Sequence, residues 1–176
     1  SAEPKTLVEK DLPTREDVRR TLAVRYVCDE ALVVAAIESA LASGKCVCWM
    51  RNTVADALAA HARFQGRLPA DRLTLFHARF ALRDRLRTER KVLALFGERS
   101  TPMRRRGRLV ISTQVAEQSL DADWDFVVSA LAPIDRLTQR AGRMQRHPRD
   151  ERGRRLRDSI ARDRRGEPCL WVFGPT

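Results

Sequence analysis

The run Gln139-Arg140-Ala141-Gly142-Arg143-Met144-Gln145-Arg146-His147 sets arginines three residues apart beside a glutamine. A guanidinium remains charged and presents a planar fork of N–H donors that matches phosphate or carboxylate. Two such groups three residues apart on a helix can converge on one anion. The spacing predicts a helix over residues 134 to 147. With successive residues turned by roughly 100°, Ile134, Leu137, Ala141 and Met144 form an inward stripe, and Gln139, Arg140, Arg143 and Arg146 lie opposite. Pro133 suits a first helical position, where no amide hydrogen is needed, and Pro148 ends the run by restricting the residue before it. A solvated helix face would carry the same arginine stripe, so spacing alone leaves anion binding and simple exposure both open.

The elements that must hold this helix are legible as apolar runs. Leu22 to Val27, Cys46 to Met50, Leu73 to His77, Leu109 to Thr113, Phe126 to Leu131 and Leu170 to Phe173 read as strands, several apolar throughout as in sheets covered on both sides. Between them, Asp29 caps a helix through Ser43 with Leu32, Val33, Ala36, Ile37, Ala40 and Leu41 as its apolar face and Gly44 at the stop. Thr53-Val54-Ala55-Asp56 has capping-box spacing. Phe80 to Phe96 reads as a helix with Leu82, Leu86, Leu93 and Phe96 on one stripe, ended by Gly97. Alternating strands and helices predict an α/β fold with a mainly parallel sheet and helices on both faces.

In such sheets ligands bind at the carboxyl ends of the strands. Asn52 and Thr53 follow one strand directly, and His77 and Arg79 follow another. Each has a structural reading beside the functional one, as a helix cap or a hydrogen-bonded turn residue. Residues 1 to 20, interrupted by Pro4 and Pro13, form a lead-in, and 21 to 176 form one domain. The loop from 98 to 108 carries Arg104-Arg105-Arg106 and Arg108, expected to be solvated with a phosphate contact as the alternative, and the arginine-rich stretch 149 to 165 reads as a mobile loop or insertion.

Composition narrows the class. A chain of 176 residues suits one domain, which at this size buries roughly 70% of its unfolded surface. Its 34 basic and 23 acidic residues leave a net charge of +11, which favours a polyanionic partner such as nucleic acid. Only Lys5, Lys10, Lys45 and Lys91 of the basic residues are lysine, a bias that genome composition alone could impose. Cys28, Cys46, Cys48 and Cys169 lie in or beside apolar segments without zinc spacing, and are expected to be reduced, mostly buried thiols. No apolar run reaches the ~20 residues of a membrane span and the opening lacks signal-peptide regions, so a cytoplasmic protein without metal ligands of its own is expected. The chain opens on Ser1, which suggests a piece of a longer polypeptide.

Two stretches together carry a resemblance. Gln139-Arg140-x-Gly142-Arg143-x-x-Arg146 resembles motif VI of superfamily 2 helicases, and Ile111-Ser112-Thr113-Gln114 with Gln118-Ser119-Leu120-Asp121 resembles motif V. Trp49-Met50-Arg51-Asn52-Thr53-Val54, Leu75-Phe76-His77-Ala78-Arg79-Phe80 and Leu131-Ala132-Pro133-Ile134-Asp135 narrow the likeness to the CRISPR-associated helicase-nuclease (Cas3) family of type I systems, over about residues 45 to 148. Ser119 stands where many superfamily members have glycine, in agreement with the narrower family.

The resemblance implies a second RecA-like lobe of an ATP-dependent DNA translocase. Arg143 and Arg146 would then be arginine fingers for ATP hydrolysis, with Gln139 and Arg140 helping to hold nucleotide and lobe geometry; Asp121 would lie near the nucleotide sugar or order the arginine helix, its structural alternative being a turn residue before the next strand. Asn52, Thr53, His77, Arg79, Thr113 and Gln114 would contact single-stranded DNA. Asp29-Glu30-Ala31-Leu32 is similar to a helicase magnesium motif, but no phosphate loop precedes it, so its acids read as a cap and first turn. Gly44-Lys45 leads into Cys46 and a strand, which is not a phosphate-loop context. ATP and Mg2+ would be held mainly by a first RecA-like lobe outside this sequence, which would also lack the nuclease domain; the chain by itself is expected to be inactive. The further implied partner is the CRISPR surveillance complex with its guide RNA. The alternatives are the same lobe of another superfamily 2 DNA or RNA helicase, or a non-catalytic interaction module; retention of Arg143 and Arg146 speaks against the last.

Overall fold

The computed structural model describes residues 21–117, 120–156 and 161–175. The lead-in, Gln118 and Ser119 of the motif V run, and residues 157–160 of the arginine-rich stretch lie outside the described residues. In chain order the elements are β1 (Ala23–Val27), α1 (Glu30–Ala42), β2 (Val47–Met50), α2 (Val54–Phe64), β3 (Leu73–Phe76), α3 (Leu82–Phe96), α4 (Pro102–Arg105), β4 (Leu109–Ser112), a 3-10 turn (Gln114–Ala116), β5 (Phe126–Ala130), α5 (Ile134–Ala141) and β6 (Cys169–Phe173).

The strands form one six-stranded sheet in the order β1-β6-β5-β2-β4-β3, with every neighbouring pair parallel. This is the RecA-like α/β architecture. Alternation along β2 shows why it is covered twice. Val47 and Trp49 pack with Val33, Ile37 and Leu41 of α1 and Ala57, Ala60 and Phe64 of α2. Cys48 and Met50 face the other layer, with Val92 and Phe96 of α3, Ala141 of α5, Trp124 and Met144. A strand with both faces in the core has no place for the polar residues of a one-sided strand, which is why β2 and β4 are buried throughout.

Helix starts follow local chemistry. Ala31 N donates to Asp29 Oδ1 at 2.8 Å, and Asp56 N donates to Thr53 Oγ1 at 3.1 Å, each satisfying an amide that the first turn leaves without a helical partner. After α1 the chain turns through Gly44 at φ +85°, a left-handed conformation in which a side chain would be strained.

Several local expectations are corrected by tertiary packing. Leu32 is exposed, as are Leu82 and Leu86, because α1 seats Val33, Ile37 and Leu41 inward and α3 buries only Val92 and Phe96. Cys28 is exposed, while Cys46 and Cys48 are buried thiols whose pKa burial pushes up. The helix expected over 134 to 147 stops at Ala141, and Pro133 precedes its first residue. Past Ala141 the helix tightens into i→i−3 turns, with Arg143 N donating to Arg140 O and Met144 N to Ala141 O at 3.0 Å each, and the chain then bridges to the segment before β5. Trp124 N donates to Arg143 O at 3.0 Å, and Gln145 N donates to Trp124 O at 2.8 Å. Met144 is thereby buried as expected, but Ile134, assigned to the same inward stripe, is 79% exposed.

Candidate nucleotide and nucleic-acid site

Arg140 sits in the last turn of α5 and is completely buried. Its Nε donates to Glu117 Oε1 at 2.7 Å, Nη1 to Ser129 Oγ at 2.8 Å and Ala130 O at 2.9 Å, and Nη2 to Asn52 Oδ1 at 3.1 Å. Nη2 also lies 2.6 Å from Glu117 Oε1. The whole fork is occupied, so Arg140 joins the turn after β4, the end of β5 and the exit of β2 into one unit. The outward basic face expected of this helix is therefore corrected at Arg140: a guanidinium with a buried carboxylate to meet turns inward. Gln139 stays exposed.

Arg143 follows, half-buried, with Nη2 donating to Glu117 O at 2.7 Å. Burial, followed by the charge of Arg146, pulls its pKa down from the ordinary value. Arg146 is more exposed and donates through Nε to Asp121 Oδ1 at 2.7 Å, the oxygen that also lies 3.1 Å from His147 Nε2. Burial pushes the Asp121 carboxyl up, but the hydrogen bond from Arg146 and the charges of His147 and Arg146 outweigh it and hold the group below the usual carboxylate range. Arg143, Arg146 and Asp121 thus share one neighbourhood.

The remaining sequence-predicted residues form a row. Asn52 and Thr53 follow β2, His77 and Arg79 follow β3, and Thr113 and Gln114 follow β4, three adjacent strands whose carboxyl ends share one edge. Their environments differ. Asn52 Nδ2 donates to Leu131 O at 2.7 Å while its Oδ1 serves Arg140. The buried His77 accepts from Arg79 N at 3.2 Å through Nδ1 and stacks on Phe80 at 4.2 Å, and burial lowers its pKa. Arg79 itself is exposed. Thr113 is buried, and its Oγ1 has no hydrogen-bond partner among the described residues. Gln114 is half-buried at the start of the 3-10 turn. Because Asn52 belongs both to the row and to the Arg140 unit, Asn52→Ala is expected to destabilise the chain by about 1–2 kcal/mol, for the loss of its hydrogen bonds to Leu131 O and from Arg140 Nη2. An unchanged urea midpoint would refute that link.

Comparison with known proteins adds the deciding observation. The family model described as "CRISPR-associated nuclease/helicase Cas3, C-terminal" matches residues 43–149, which span the row, the Arg140 unit and the arginine turn. The chain belongs to the Cas3 family. It is 46% identical over 80 residues to the CRISPR-associated endonuclease/helicase Cas3 of Escherichia coli K12, an alignment covering 46% of this chain and 9% of that protein. In three dimensions it is similar to T. fusca Cas3-ATP, with a TM-score of 0.75 and 32% identity over 94% of this chain and 19% of that one. It is likewise similar to a chain of a CRISPR RNA-guided surveillance complex, pre-nicking, with a TM-score of 0.71 and 31% identity over 94% of this chain and 20% of that one. The chain therefore spans only a small part of its Cas3 relatives. Within that span it is their helicase C-terminal lobe, which takes the place of the broader superfamily alternative.

This Cas3 lobe also contains site residues that the sequence did not single out. Arg51, beside Asn52, lies between the rings of Trp49 and Phe173, 5.0 and 5.2 Å from their centroids. Its Nε and Nη1 are buried without hydrogen-bond partners among the described residues, and the nearest carboxylate oxygen, of Glu30, is 3.9 Å from Nη1. The signal was the Trp-Met-Arg-Asn-Thr run itself. Glu117, the partner of Arg140, lies between the two halves of the motif V run and carried no signal of its own.

The arginine-rich segments provide the larger correction. Arg105, expected in solvent, and Arg149, at the start of the stretch expected to be mobile, are buried around the fully buried Asp123. Arg165, at the other end of that stretch, joins them with only 6% of its side chain exposed. Low hydrophobicity made these segments look unanchored, but ion pairs anchor both described ends of the stretch.

Proposed function

We propose that this lobe is the second half of an ATP-driven single-strand DNA translocase acting in CRISPR interference, and that it supplies Arg143 and Arg146 to ATP held on a first lobe. The observation that carries the reading is the division of labour within the arginine turn. Arg140 is fully engaged inside the lobe, whereas Arg143 is held by one terminal nitrogen and Arg146 through Nε. Phosphoryl transfer spreads negative charge over the transferred group, so catalysis depends on cations placed around it in advance. Two guanidinium groups anchored at one edge of their forks meet that requirement.

The row of Asn52, Thr53, His77, Arg79, Thr113 and Gln114 is assigned to the backbone of the DNA strand, with its exposed members making direct contact and His77 shaping the turn. Supporting this, the row occupies the sheet edge where parallel α/β folds bind ligands, and the chain carries a net charge of +11. No group of three or more His, Cys, Asp or Glu among the described residues is placed to hold a metal ion, and Glu117 and Asp121 already face guanidinium groups. Among the described residues these carboxylates do not fit a magnesium ion, and the ion accompanying ATP is assigned in this reading to the phosphate-loop lobe. The similar chain in the pre-nicking surveillance complex supports a CRISPR surveillance complex as the larger partner. No helix among the described residues is long and apolar enough to cross a membrane.

The test compares the chain alone with the chain joined to a first lobe of the family carrying the phosphate loop. Alone, it is expected to bind single-stranded DNA weakly, with affinity falling steeply with salt at a slope of about 0.7 per phosphate neutralised, and to show no ATP turnover. Joined, it is expected to hydrolyse ATP in response to DNA. Tight, salt-insensitive binding or robust turnover by the chain alone would overturn the proposal.

A further inference from the structure

The arginine-rich stretch after Pro148 returns to the backbone of the arginine turn, directly at one atom and through Asp123 at a second. Asp123, whose side chain is completely buried, accepts on Oδ2 from Arg149 Nε at 2.7 Å and from Arg105 Nη1 and Arg165 Nη1 at 3.1 Å each. Its Oδ1 accepts from Arg165 Nη2 at 3.1 Å and from the backbone N of Arg146 at 2.9 Å. Arg165 Nη2 also donates to His147 O at 3.0 Å. The amide hydrogen of Arg146 and the carbonyl of the next residue are thus held by one guanidinium and the carboxylate it binds.

Arg165 is itself fixed. Its Nε donates to Asp163 Oδ1 at 3.0 Å and its Nη1 to Asp125 Oδ1 at 2.7 Å. Asp125 in turn accepts from Cys46 N at 2.8 Å at the entrance to the central strand. A chain of hydrogen bonds therefore runs from the start of β2 through Asp125, Arg165 and Asp123 to the backbone of Arg146. On its other side, the Arg146 side chain meets Asp121. Asp121 orients the guanidinium, and the Asp123–Arg165 pair locates the backbone that carries it.

We propose that Arg165 is a positioning residue for Arg146, acting through Asp123 and the His147 carbonyl, so that the stretch beyond the helicase motif serves as its brace. This rests on the reading of Arg146 as an arginine finger. A buried bidentate guanidinium suits the task, because its planar fork spreads donors over Asp123, Asp125 and a carbonyl at once, whereas the three donors of a lysine radiate from a single nitrogen and cannot reproduce that geometry. A misplacement of about 1 Å at a reacting group can cost on the order of 100-fold in rate.

The experiment measures DNA-stimulated ATP turnover by the chain joined to its phosphate-loop lobe, with Arg165→Ala, Arg165→Lys, Arg146→Ala and the Arg146→Ala, Arg165→Ala pair. Binding of a non-hydrolysable ATP analogue counts the folded fraction in each preparation. Expected for Arg165→Ala is a kcat lower by on the order of 10-fold to 100-fold, with KM for ATP and single-strand affinity unchanged, and no further loss when it is added to Arg146→Ala. Arg165→Lys, which keeps the charge and disturbs folding less, is expected to share the kcat defect and carries the test if the alanine variant does not fold. If Arg146→Ala abolishes turnover but the Arg165 variants keep full kcat per folded molecule, or their loss multiplies with that of Arg146→Ala, the brace is refuted and the finger reading survives. If Arg146→Ala leaves turnover intact, the finger reading fails and the brace falls with it.

Discussion

Arg143→Ala, in the chain joined to a phosphate-loop lobe, is expected to lower DNA-stimulated ATP turnover by on the order of 10³-fold or more, the range known for arginine fingers, with single-strand DNA binding retained. Arg143 makes its described side-chain bond to one backbone carbonyl, that of Glu117, so its removal leaves the Arg140–Glu117 pair in place. The stability cost should stay near that of one hydrogen bond, about 1 kcal/mol. Arg143→Lys is expected to recover only part of the rate, because an ammonium keeps the charge but not the fork that can hold Glu117 O with one nitrogen and a phosphoryl oxygen with another. Turnover, strand binding and the urea midpoint should be measured on one preparation. Turnover near the unmutated level would remove the catalytic half of the proposed function and leave the arginine turn as a structural or DNA-contact feature.

The second large effect concerns stability. Asp123→Asn keeps the shape of the side chain and removes its charge, leaving Arg105, Arg149 and Arg165 with Asp125 and Asp163 and one buried positive charge uncompensated. Breaking a buried ion pair from one side costs about 3–5 kcal/mol, a large share of the roughly 5–15 kcal/mol that separates folded from unfolded domains. Its pH dependence follows from the directions of the shifts. Burial pushes the Asp123 and Asp125 carboxyls up, but Arg105 and Arg165 outweigh it, leaving both below the ordinary carboxylate value. Burial and then the charge of Arg105 pull Arg149 down, although a guanidinium stays charged at neutral pH. A carboxyl with a depressed folded pKa contributes stability fully above its unfolded value of about 3.9, and that contribution is lost as pH falls through the folded value. Urea midpoints should therefore hold steady from neutrality to about pH 5 and drop below about pH 4, with a shallower acid slope in Asp123→Asn. An asparagine variant within about 0.5 kcal/mol of the parent, the scatter of ordinary surface substitutions, would show that the network is not a stabilising centre.

The local chemistry of the chain determined its strands, its helix starts and the order of its functional turns. Val47 to Met50 and Leu109 to Ser112 are apolar throughout because both their faces are covered, and Asp29 and Thr53 begin helices because their side chains accept first-turn amides. These are short-range demands, written within a few residues of where they act. The arrangement of Asn52, Thr53, His77, Arg79, Thr113 and Gln114 along one sheet edge followed from those strands and their parallel connection.

Only the tertiary structure decided which arginines face solvent. Arg140 and Arg146 lie in one run of sequence, yet one is buried on Glu117 and the other is partly exposed on Asp121. Arg105, Arg149 and Arg165 occupy segments whose composition suggests loops, but each meets Asp123 in the interior. The helix expected to reach residue 147 ends at Ala141 because Trp124 takes up the backbone of Arg143 and Gln145. In every case the deciding partner lies well away in sequence. Periodicity records which side of a helix a residue is on, but a guanidinium is buried or solvated according to whether a carboxylate from elsewhere in the chain offsets its loss of hydration.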